Sequence, residues 1–133
     1  MNILLVEDTL ELLAELRSAL PPLSTIRESS SAAEAILYLA ENAVDLVITD
    51  MTLETGDYKD GLSVIEAARA RDPDTQVIAV TSFATREISI AAIRHKCFDF
   101  LDRNYSGIDF LEMLRWKVRL ASQYREALRH PEN

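Results

Sequence analysis

Two short apolar runs in this chain each end in acidic residues. The run at residues 3–6 leads into Glu7 and Asp8, and the run at residues 46–49 leads into Asp50. Each run has the length and composition of a strand that is buried on both faces, as in a parallel sheet. The carboxyl ends of parallel strands meet at one edge, where open α/β folds place their sites. Three carboxylates are therefore expected to share one pocket.

A pocket of carboxylates predicts a cation site. Like charges repel at neutral pH, and a protein tolerates them by raising a pKa or by binding a cation. All-oxygen ligands favour a hard cation, and Mg²⁺ uses one or two carboxylates, several waters and a phosphate group. We therefore predict a site for Mg²⁺, or another divalent cation such as Mn²⁺, built for phosphoryl chemistry. The alternative is that Glu7 and Asp8 only begin a helix, with Asp8 or Thr9 as its cap.

Length and charge limit the class of protein. A chain of 133 residues with 48% hydrophobic content is suited to one compact domain. A net charge of −8 argues against direct binding of nucleic acid. No apolar run reaches membrane length and the N-terminus has no signal-peptide layout, so we expect a cytoplasmic domain without a membrane partner. Cys97, the single cysteine, excludes an internal disulfide and is expected in the core.

Strand-like and helical patterns alternate along the chain. Predicted strands cover residues 3–6, 23–28, 46–49, 77–80 and 98–101, and predicted helices cover about 10–20, 32–42, 61–71, 88–95 and 108–130. Each parallel return needs a crossover, and the right-handed choice puts helices on both faces. The alternation predicts an α/β fold with a doubly wound parallel sheet.

The residues at the ends of the later strands complete a familiar order. Thr81 ends the fourth apolar run, and the fifth contains the stretch FDFLDR at residues 98–103. Together with the acids, this order resembles the receiver domain of two-component response regulators over about residues 1–120. The resemblance implies a flavodoxin-like (βα)5 fold with strand order 2-1-3-4-5. We expect a receiver domain at 1–120 and an extension of the last helix at 121–133.

The resemblance also implies a reaction. Receiver domains take a phosphoryl group from the phosphohistidine of a sensor histidine kinase or phosphotransfer protein onto an aspartate, which here is Asp50. Mg²⁺ would be held by Glu7, Asp8, Asp50 and the main-chain carbonyl of Thr52. A carboxylate is a competent nucleophile toward phosphorus, and the remaining work is positioning and charge neutralisation. We expect a phosphoacceptor signalling domain that assists its own phosphotransfer and dephosphorylation and is otherwise not an enzyme.

Three further roles follow from the same resemblance. Thr81 would donate its hydroxyl to the acyl phosphate, and Phe100 would turn inward, so that the fourth and fifth strand–helix face carries the signal. The alternatives are an ordinary strand residue and a static core aromatic. Arg103 stands at the family's lysine, and its guanidinium would bind phosphate with a different reach and geometry. Its alternative is an ion pair with an acid of the empty pocket.

Phe83 lies two places after Thr81, where the family residue is adjacent to the phosphate. It is bulky and apolar, and it has no group that could orient a water molecule. We predict a slowly hydrolysed acyl phosphate. The alternative is that Phe83 packs on the next helix.

The chain departs from the family pattern at several positions. Asn104 replaces the proline that usually follows the lysine, and the stretch from Asp50 to Gly61 is longer than usual. Lys96 stands where a glycine commonly ends the fourth helix, so that turn must be closed differently or strained. An alternative function therefore stays open, a receiver-like interaction module that works without phosphorylation. It is suggested by Arg103, Asn104 and the longer stretch. A flavin carrier or phosphatase fits poorly, because acids stand where a flavodoxin cradles phosphate and residues 50–52 lack a second aspartate.

The last helical pattern is longer than the sheet requires. At a rise of about 1.5 Å per residue, its tail is expected to project. Two apolar lines along this helix predict packing on the sheet together with a homodimer through the last helix; the alternative is that both lines serve the local core. The basic residues predict a partner face. We expect a downstream protein target, or an output domain outside these residues. The lines are Leu111, Leu114, Val118, Ala121 and Leu128 with Arg125, and Trp116, Leu120 and Tyr124; the basic residues are Arg115, Lys117, Arg119, Arg125 and Arg129.

Overall fold

The computed structural model describes residues 1–53, 56–82, 84–104 and 109–131, in which five strands alternate with five helices. All neighbouring strands are parallel, and their order is β2-β1-β3-β4-β5. The predicted fold class and strand order are confirmed. The elements are β1 (Asn2–Val6), α1 (Leu10–Ser18), β2 (Thr25–Ser29), α2 (Ala32–Glu41), β3 (Leu46–Asp50), α3 (Lys59–Arg71), β4 (Gln76–Thr81), α4 (Arg86–Arg94), β5 (Asp99–Asp102) and α5 (Phe110–Arg129).

The two faces of the sheet bury separate core layers. Ile3, Leu5 and Ile48 pack with residues of α1 and α5, such as Leu114. Their strand neighbours point the other way and pack with α2, α3 and α4, as Val47 does. Side chains alternate between faces along a strand, which explains why continuous apolar runs fill both layers.

Two element boundaries differ from the predicted ones for local reasons. β2 begins at Thr25 because Leu23 has a φ of +70°, which no strand accommodates. α3 begins at Lys59, two residues before Gly61, and the Asp57 carboxylate accepts a hydrogen bond from the Lys59 amide at 2.9 Å. An aspartate side chain that accepts from the backbone two residues on favours such a turn.

The end of α4 confirms the expected strain at Lys96. Its amide donates to the Ile93 carbonyl at 2.9 Å, and the Cys97 amide donates to the Ala92 carbonyl at 3.4 Å. This is the hydrogen-bond pattern of a helix end that favours glycine, yet Lys96 occupies the left-handed position with a φ of +62°. Cys97 itself is half-buried, and burial, the largest cause, raises the pKa of its thiol to about 11.

Two of the five basic residues predicted to form a partner face on the last helix pair with acids of the domain instead. Arg125 is only 12% exposed and forms ion pairs with Asp45 at 3.0 Å and Asp72 at 3.6 Å. Lys117 pairs with Asp99 at 2.7 Å, so these two cations neutralise acids of their own domain. The helix remains packed through residue 125, and residues 126–130 are exposed. Within the described ranges, no helix combines the length and apolar composition needed to cross a membrane.

Candidate functional site

The three predicted acids meet at the carboxyl edge of the sheet. β1 and β3 are neighbours in register, with Val6 opposite Thr49, so Glu7 and Asp50 emerge side by side. One carboxylate oxygen from each of Glu7, Asp8 and Asp50 lies within 4.8 Å of the other two. Glu7 is 3% exposed, whereas Asp50 is half-buried and Asp8 is exposed. The pocket therefore has a buried floor and an open side.

The electrostatics of Glu7 follow from this crowding. Burial is the largest cause that raises the pKa of Glu7 to about 8, and a side-chain hydrogen bond with Asp8 and the charge of Asp50 act in the same direction. The Glu7 carboxylate also accepts a hydrogen bond from the Asp8 amide at 2.8 Å. A cation that binds Glu7 would therefore have to displace a proton that this carboxyl holds more tightly than an exposed one does.

Asp50 is perturbed in the same direction by opposing causes. Burial, the largest cause, raises the pKa of Asp50, and hydrogen bonds from the Thr52 amide and the Glu7 side chain counteract it. The charge of Asp8 also raises the pKa, whereas the charge of Arg103 lowers it. The Thr52 amide donates to Asp50 Oδ1 at 3.0 Å. That bond fixes the orientation of the carboxylate at the rim.

The segment after β3 is locked by a close backbone approach. The Met51 amide donates to the Val80 carbonyl at 3.0 Å, and the Gly61 amide donates to the Met51 carbonyl at 3.2 Å. A Cβ at Gly61 would lie 2.6 Å from the Cα of Met51, so only glycine fits there. Asp50 and Thr52 flank Met51, and the start of α3 therefore holds the acceptor segment in place. Ligation by the Thr52 carbonyl stays a prediction.

Thr81 and Arg103 lie on the neighbouring strand ends. Thr81 ends β4 with no exposed surface, one position beyond Val80, the register partner of Asp50. The Thr81 carbonyl accepts a hydrogen bond from the Arg103 amide at 2.8 Å. The Asn104 side chain donates to the Ser82 carbonyl at 2.6 Å. These bonds connect the segments after β4 and β5 through backbone contacts.

The Arg103 side chain has a partner that the sequence did not indicate. Its Nη2 donates to Glu15 Oε2 of α1 at 2.6 Å, and its guanidinium carbon lies 5.4 Å from the ring centre of Phe110. Among the described residues, its ion pair is with Glu15 and not with an acid of the pocket. The alternative of an ion pair between Arg103 and an acid of the pocket is therefore not what the structure has. Glu15 is one of several exposed acids and lies 88 residues away, so no local pattern could have identified it.

Phe100 lies half-buried in β5, opposite Ala79 of β4. It lines a groove of about 400 Å³ between α4 and α5, together with Phe110 and Trp116. Its predicted switching role is compatible with this position between core and surface. Phe83, the predicted phosphate-adjacent residue, lies outside the described residues.

The donor set agrees with the chemistry of a hard divalent cation. Three carboxylates supply only oxygen ligands, and their open side leaves room for waters and a phosphoryl oxygen. Among the described residues, none of the ion pairs includes Glu7, Asp8 or Asp50. Burial, the largest cause, and the charge of Asp50 both raise the pKa of Glu7, and a bound cation would counteract them.

The chain is similar to known proteins. The family model for the response regulator receiver domain matches residues 3–115. The regulatory protein LuxO of Vibrio vulnificus is 33% identical over 98 residues, 73% of this chain and 21% of its own length. The response regulator protein PilR of Pseudomonas aeruginosa is 30% identical over 100 residues, 75% of this chain and 22% of its own length. The chain thus spans about a fifth of each of these relatives.

A solved structure matches over nearly the whole chain. The signal receiver domain of an HD domain-containing protein from Pseudomonas fluorescens has a TM-score of 0.79 and 25% identity, over 95% of this chain and 97% of that one. The family model and this solved structure together cover the five parallel strands of the sheet. The chain therefore belongs to the response regulator receiver domain family of two-component signalling.

Proposed function

We propose that Asp50 accepts a phosphoryl group from a sensor histidine kinase or a phosphotransfer protein in a Mg²⁺-dependent reaction. The observation that carries the proposal is the cluster of three carboxylates within 4.8 Å, none of which has an ion-pair partner among the described residues. Repulsion among these carboxylates destabilises the fold, and a bound cation would relieve it. Mg²⁺ bound there would also take an oxygen of a phosphoryl group as a ligand. Glu7, Asp8, Asp50 and the Thr52 carbonyl would hold the cation.

The reaction requires little beyond positioning. An oxygen of Asp50 forms a bond to phosphorus while the bond from phosphorus to the donor's imidazole nitrogen breaks. The Thr52 amide holds the acceptor carboxylate in one orientation through its 3.0 Å hydrogen bond to Oδ1. When bound, the cation supplies charge neutralisation between the acceptor and the phosphoryl oxygens.

Thr81, Arg103 and Phe100 complete the proposal on the neighbouring strands. The buried Thr81 would donate its hydroxyl to the acyl phosphate, and Arg103 would bind a phosphoryl oxygen. Phe100 would then move inward from the groove between α4 and α5, which alters the face formed by α4, β5 and α5. A downstream protein or an output domain would recognise that face, and a second copy of the chain through α5 is a further candidate partner.

The extent and location of the domain are also proposals. Residues 1–120 would form the receiver unit, with 121–133 extending its last helix. A kinase that draws its phosphoryl group from ATP works in the cytoplasm, and we propose the same compartment for this domain.

The test is phosphorylation by a small donor. We expect acetyl phosphate with Mg²⁺ to add one phosphoryl mass to the parent protein, and neither EDTA-treated parent nor Asp50→Asn to gain it. Intact-mass spectrometry measures this directly. A parent that never gains the mass would favour a phosphorylation-independent interaction module, which would use the same faces without chemistry.

Phe83 provides a test of the lifetime of the acyl phosphate. We propose that its apolar side chain leaves the acyl phosphate without a group to orient water, so hydrolysis is slow. Decay of the phosphorylated parent is expected to be slower than decay of Phe83→Glu. Equal decay, or faster decay of the parent, would contradict this role.

A further inference from the structure

The Arg103 side chain forms an ion pair with Glu15 of α1. Its Nη2 lies 2.6 Å from Glu15 Oε2, and its side chain is 15% exposed whereas that of Glu15 is 50% exposed. The guanidinium also lies 5.4 Å from the ring centre of Phe110, the first residue of α5. One arginine thus connects β5, α1 and α5 beside the acid pocket.

Two hydrogen bonds to the end of β4 hold the backbone of this segment. The Arg103 amide donates to the Thr81 carbonyl at 2.8 Å, and the Asn104 side chain donates to the Ser82 carbonyl at 2.6 Å. The arginine side chain is long and flexible, and its fork of donors can engage one acid or another.

The guanidinium keeps unused binding capacity. Its Nε is buried and has no hydrogen-bond partner among the described residues. The charge of Arg103 also reaches Asp50: burial, the largest cause, raises the pKa of Asp50, and Arg103 is among the groups that lower it. The present partner is a single half-exposed carboxylate, and such pairs are weak in water. A doubly charged phosphoryl group with three oxygens is a stronger acceptor for an arginine fork.

We infer that Glu15 is a positioning residue that holds Arg103 away from the acceptor in the unphosphorylated domain, and that a phosphoryl group on Asp50 takes the guanidinium from Glu15. This inference rests on the proposed function, because it needs an anion at Asp50. The exchange breaks the ion pair that joins α1 to the segment after β5, and it leaves the Glu15 carboxylate without that partner. Glu15 thereby opposes phosphorylation.

The experiment measures the affinity of the Mg²⁺-loaded protein for beryllofluoride, a phosphoryl mimic, by fluorine NMR titration. Glu15→Gln keeps the shape of the side chain but removes its charge, so Arg103 loses a weaker interaction when it moves to the phosphoryl mimic. We expect tighter binding by about two- to fivefold, the range that corresponds to half-exposed ion pairs. Glu11→Gln is the matched control, because it removes the same charge from an exposed position of the same helix.

The arginine itself distinguishes partner exchange from general electrostatics. In an Arg103→Gln background, Glu15→Gln is expected to leave the affinity unchanged, because the competition no longer exists. An equal gain in Glu11→Gln, no gain in Glu15→Gln, or a gain that persists without Arg103 would each overturn the inference.

The two proposals fail in different ways. If the parent neither binds beryllofluoride nor takes a phosphoryl group from acetyl phosphate, the proposed function is wrong and the inference falls with it. If the parent does both and Glu15→Gln behaves like Glu11→Gln, the function stands and the role of Glu15 alone is wrong.

Discussion

The two rims of the sheet treat their acids in opposite ways. At the amino rim, Arg125 neutralises Asp45 at 3.0 Å and Asp72 at 3.6 Å, and Asp45 also accepts a hydrogen bond from the Asn2 amide at 2.7 Å. At the carboxyl rim, three carboxylates meet within 4.8 Å, and the nearby Arg103 is turned to Glu15. Among the described residues, Arg125 at the amino rim and Arg103 at the carboxyl rim are both largely buried, but only Arg125 pairs with the acids of its rim.

The paired acids of the amino rim have a structural role, whereas the clustered acids of the carboxyl rim mark a candidate functional site. Acids that are neutralised within the fold stabilise the connection between the end of α5 and the loops before β3 and β4. The acids of the carboxyl rim have no ion-pair partner among the described residues; burial, the largest cause, raises the pKa of Glu7 to about 8, and the charge of Asp50 acts in the same direction. A ligand must complete the second kind of site, and a strained cluster of this kind is a functional-site candidate on physical grounds.

The largest expected contrast is in phosphorylation. Asp50→Asn removes the nucleophile, so phosphorylation by acetyl phosphate is expected to fall to background. Asp45→Asn makes the same chemical change at the opposite rim and is expected to leave phosphorylation at the parent level. Intact-mass spectrometry at matched times measures both. Similar losses in the two variants would break the distinction between the rims.

The next contrast concerns pH. Glu7 has its ordinary pKa of 4.5 in the unfolded chain and about 8 in the fold, so the folded state binds more protons between these values. The free energy of unfolding of the metal-free protein should therefore decrease as the pH rises from about 4.5 to about 8. Glu7→Gln should flatten this decrease, and Mg²⁺ should offset it in the parent near pH 8.

Urea denaturation across this pH range, with and without Mg²⁺, measures the effect. Asp45→Asn is the control, because it removes an acid from the other rim without removing the proton held by Glu7. A parent whose stability is level across the range would show that the three acids do not crowd as described.

A smaller effect is expected from the amino rim alone. Arg125→Met leaves Asp45 and Asp72 without their cation, and we expect the free energy of unfolding to fall by about 2 kcal/mol. Arg17→Met removes an exposed ion pair with Glu28 and should cost less than about 0.5 kcal/mol. Thermal or urea denaturation compares the two. Phosphorylation of folded Arg125→Met should equal that of the parent, and a marked loss would argue that this rim is coupled to the site.

The smallest effect is a gain. Lys96 carries a φ of +62° at the end of α4, and Lys96→Gly should raise the free energy of unfolding by about 1 kcal/mol because glycine has no Cβ penalty there. Lys96→Ala removes the same charge but keeps the Cβ, so it should bring no such gain. Equal effects of the two variants in urea denaturation would show that strain at this turn is not the cause.

The fold could be predicted from periodicity because strand and helix signals are local. Apolar runs, the cap at Ser31 and the stop at Asp72 and Pro73 act over a few residues, and the alternation then dictates a parallel doubly wound sheet. Boundaries failed where one backbone angle decided them, as at Leu23. The backbone approach of Gly61 to Met51 also could not be read from composition.

The site could be predicted only in part, because some of its contacts are local in sequence and others are not. Glu7, Asp8 and Asp50 follow strands, so their convergence is a consequence of topology that the sequence shows. Glu15 and Arg125 act through partners that are remote in sequence, and an exposed acid or a helical arginine has no local mark that identifies its partner. Long-range ion pairs of this kind depend on how helices pack on the sheet.

The most direct test of the account is to locate the phosphoryl group. Sodium borohydride reduces an aspartyl phosphate to homoserine with release of phosphate, so peptide mass spectrometry identifies the modified position. After treatment with acetyl phosphate and Mg²⁺, we predict homoserine at residue 50 and at no other aspartate, and none when EDTA is present. Homoserine at an amino-rim aspartate such as Asp45, or equal conversion without a divalent cation, would contradict the account.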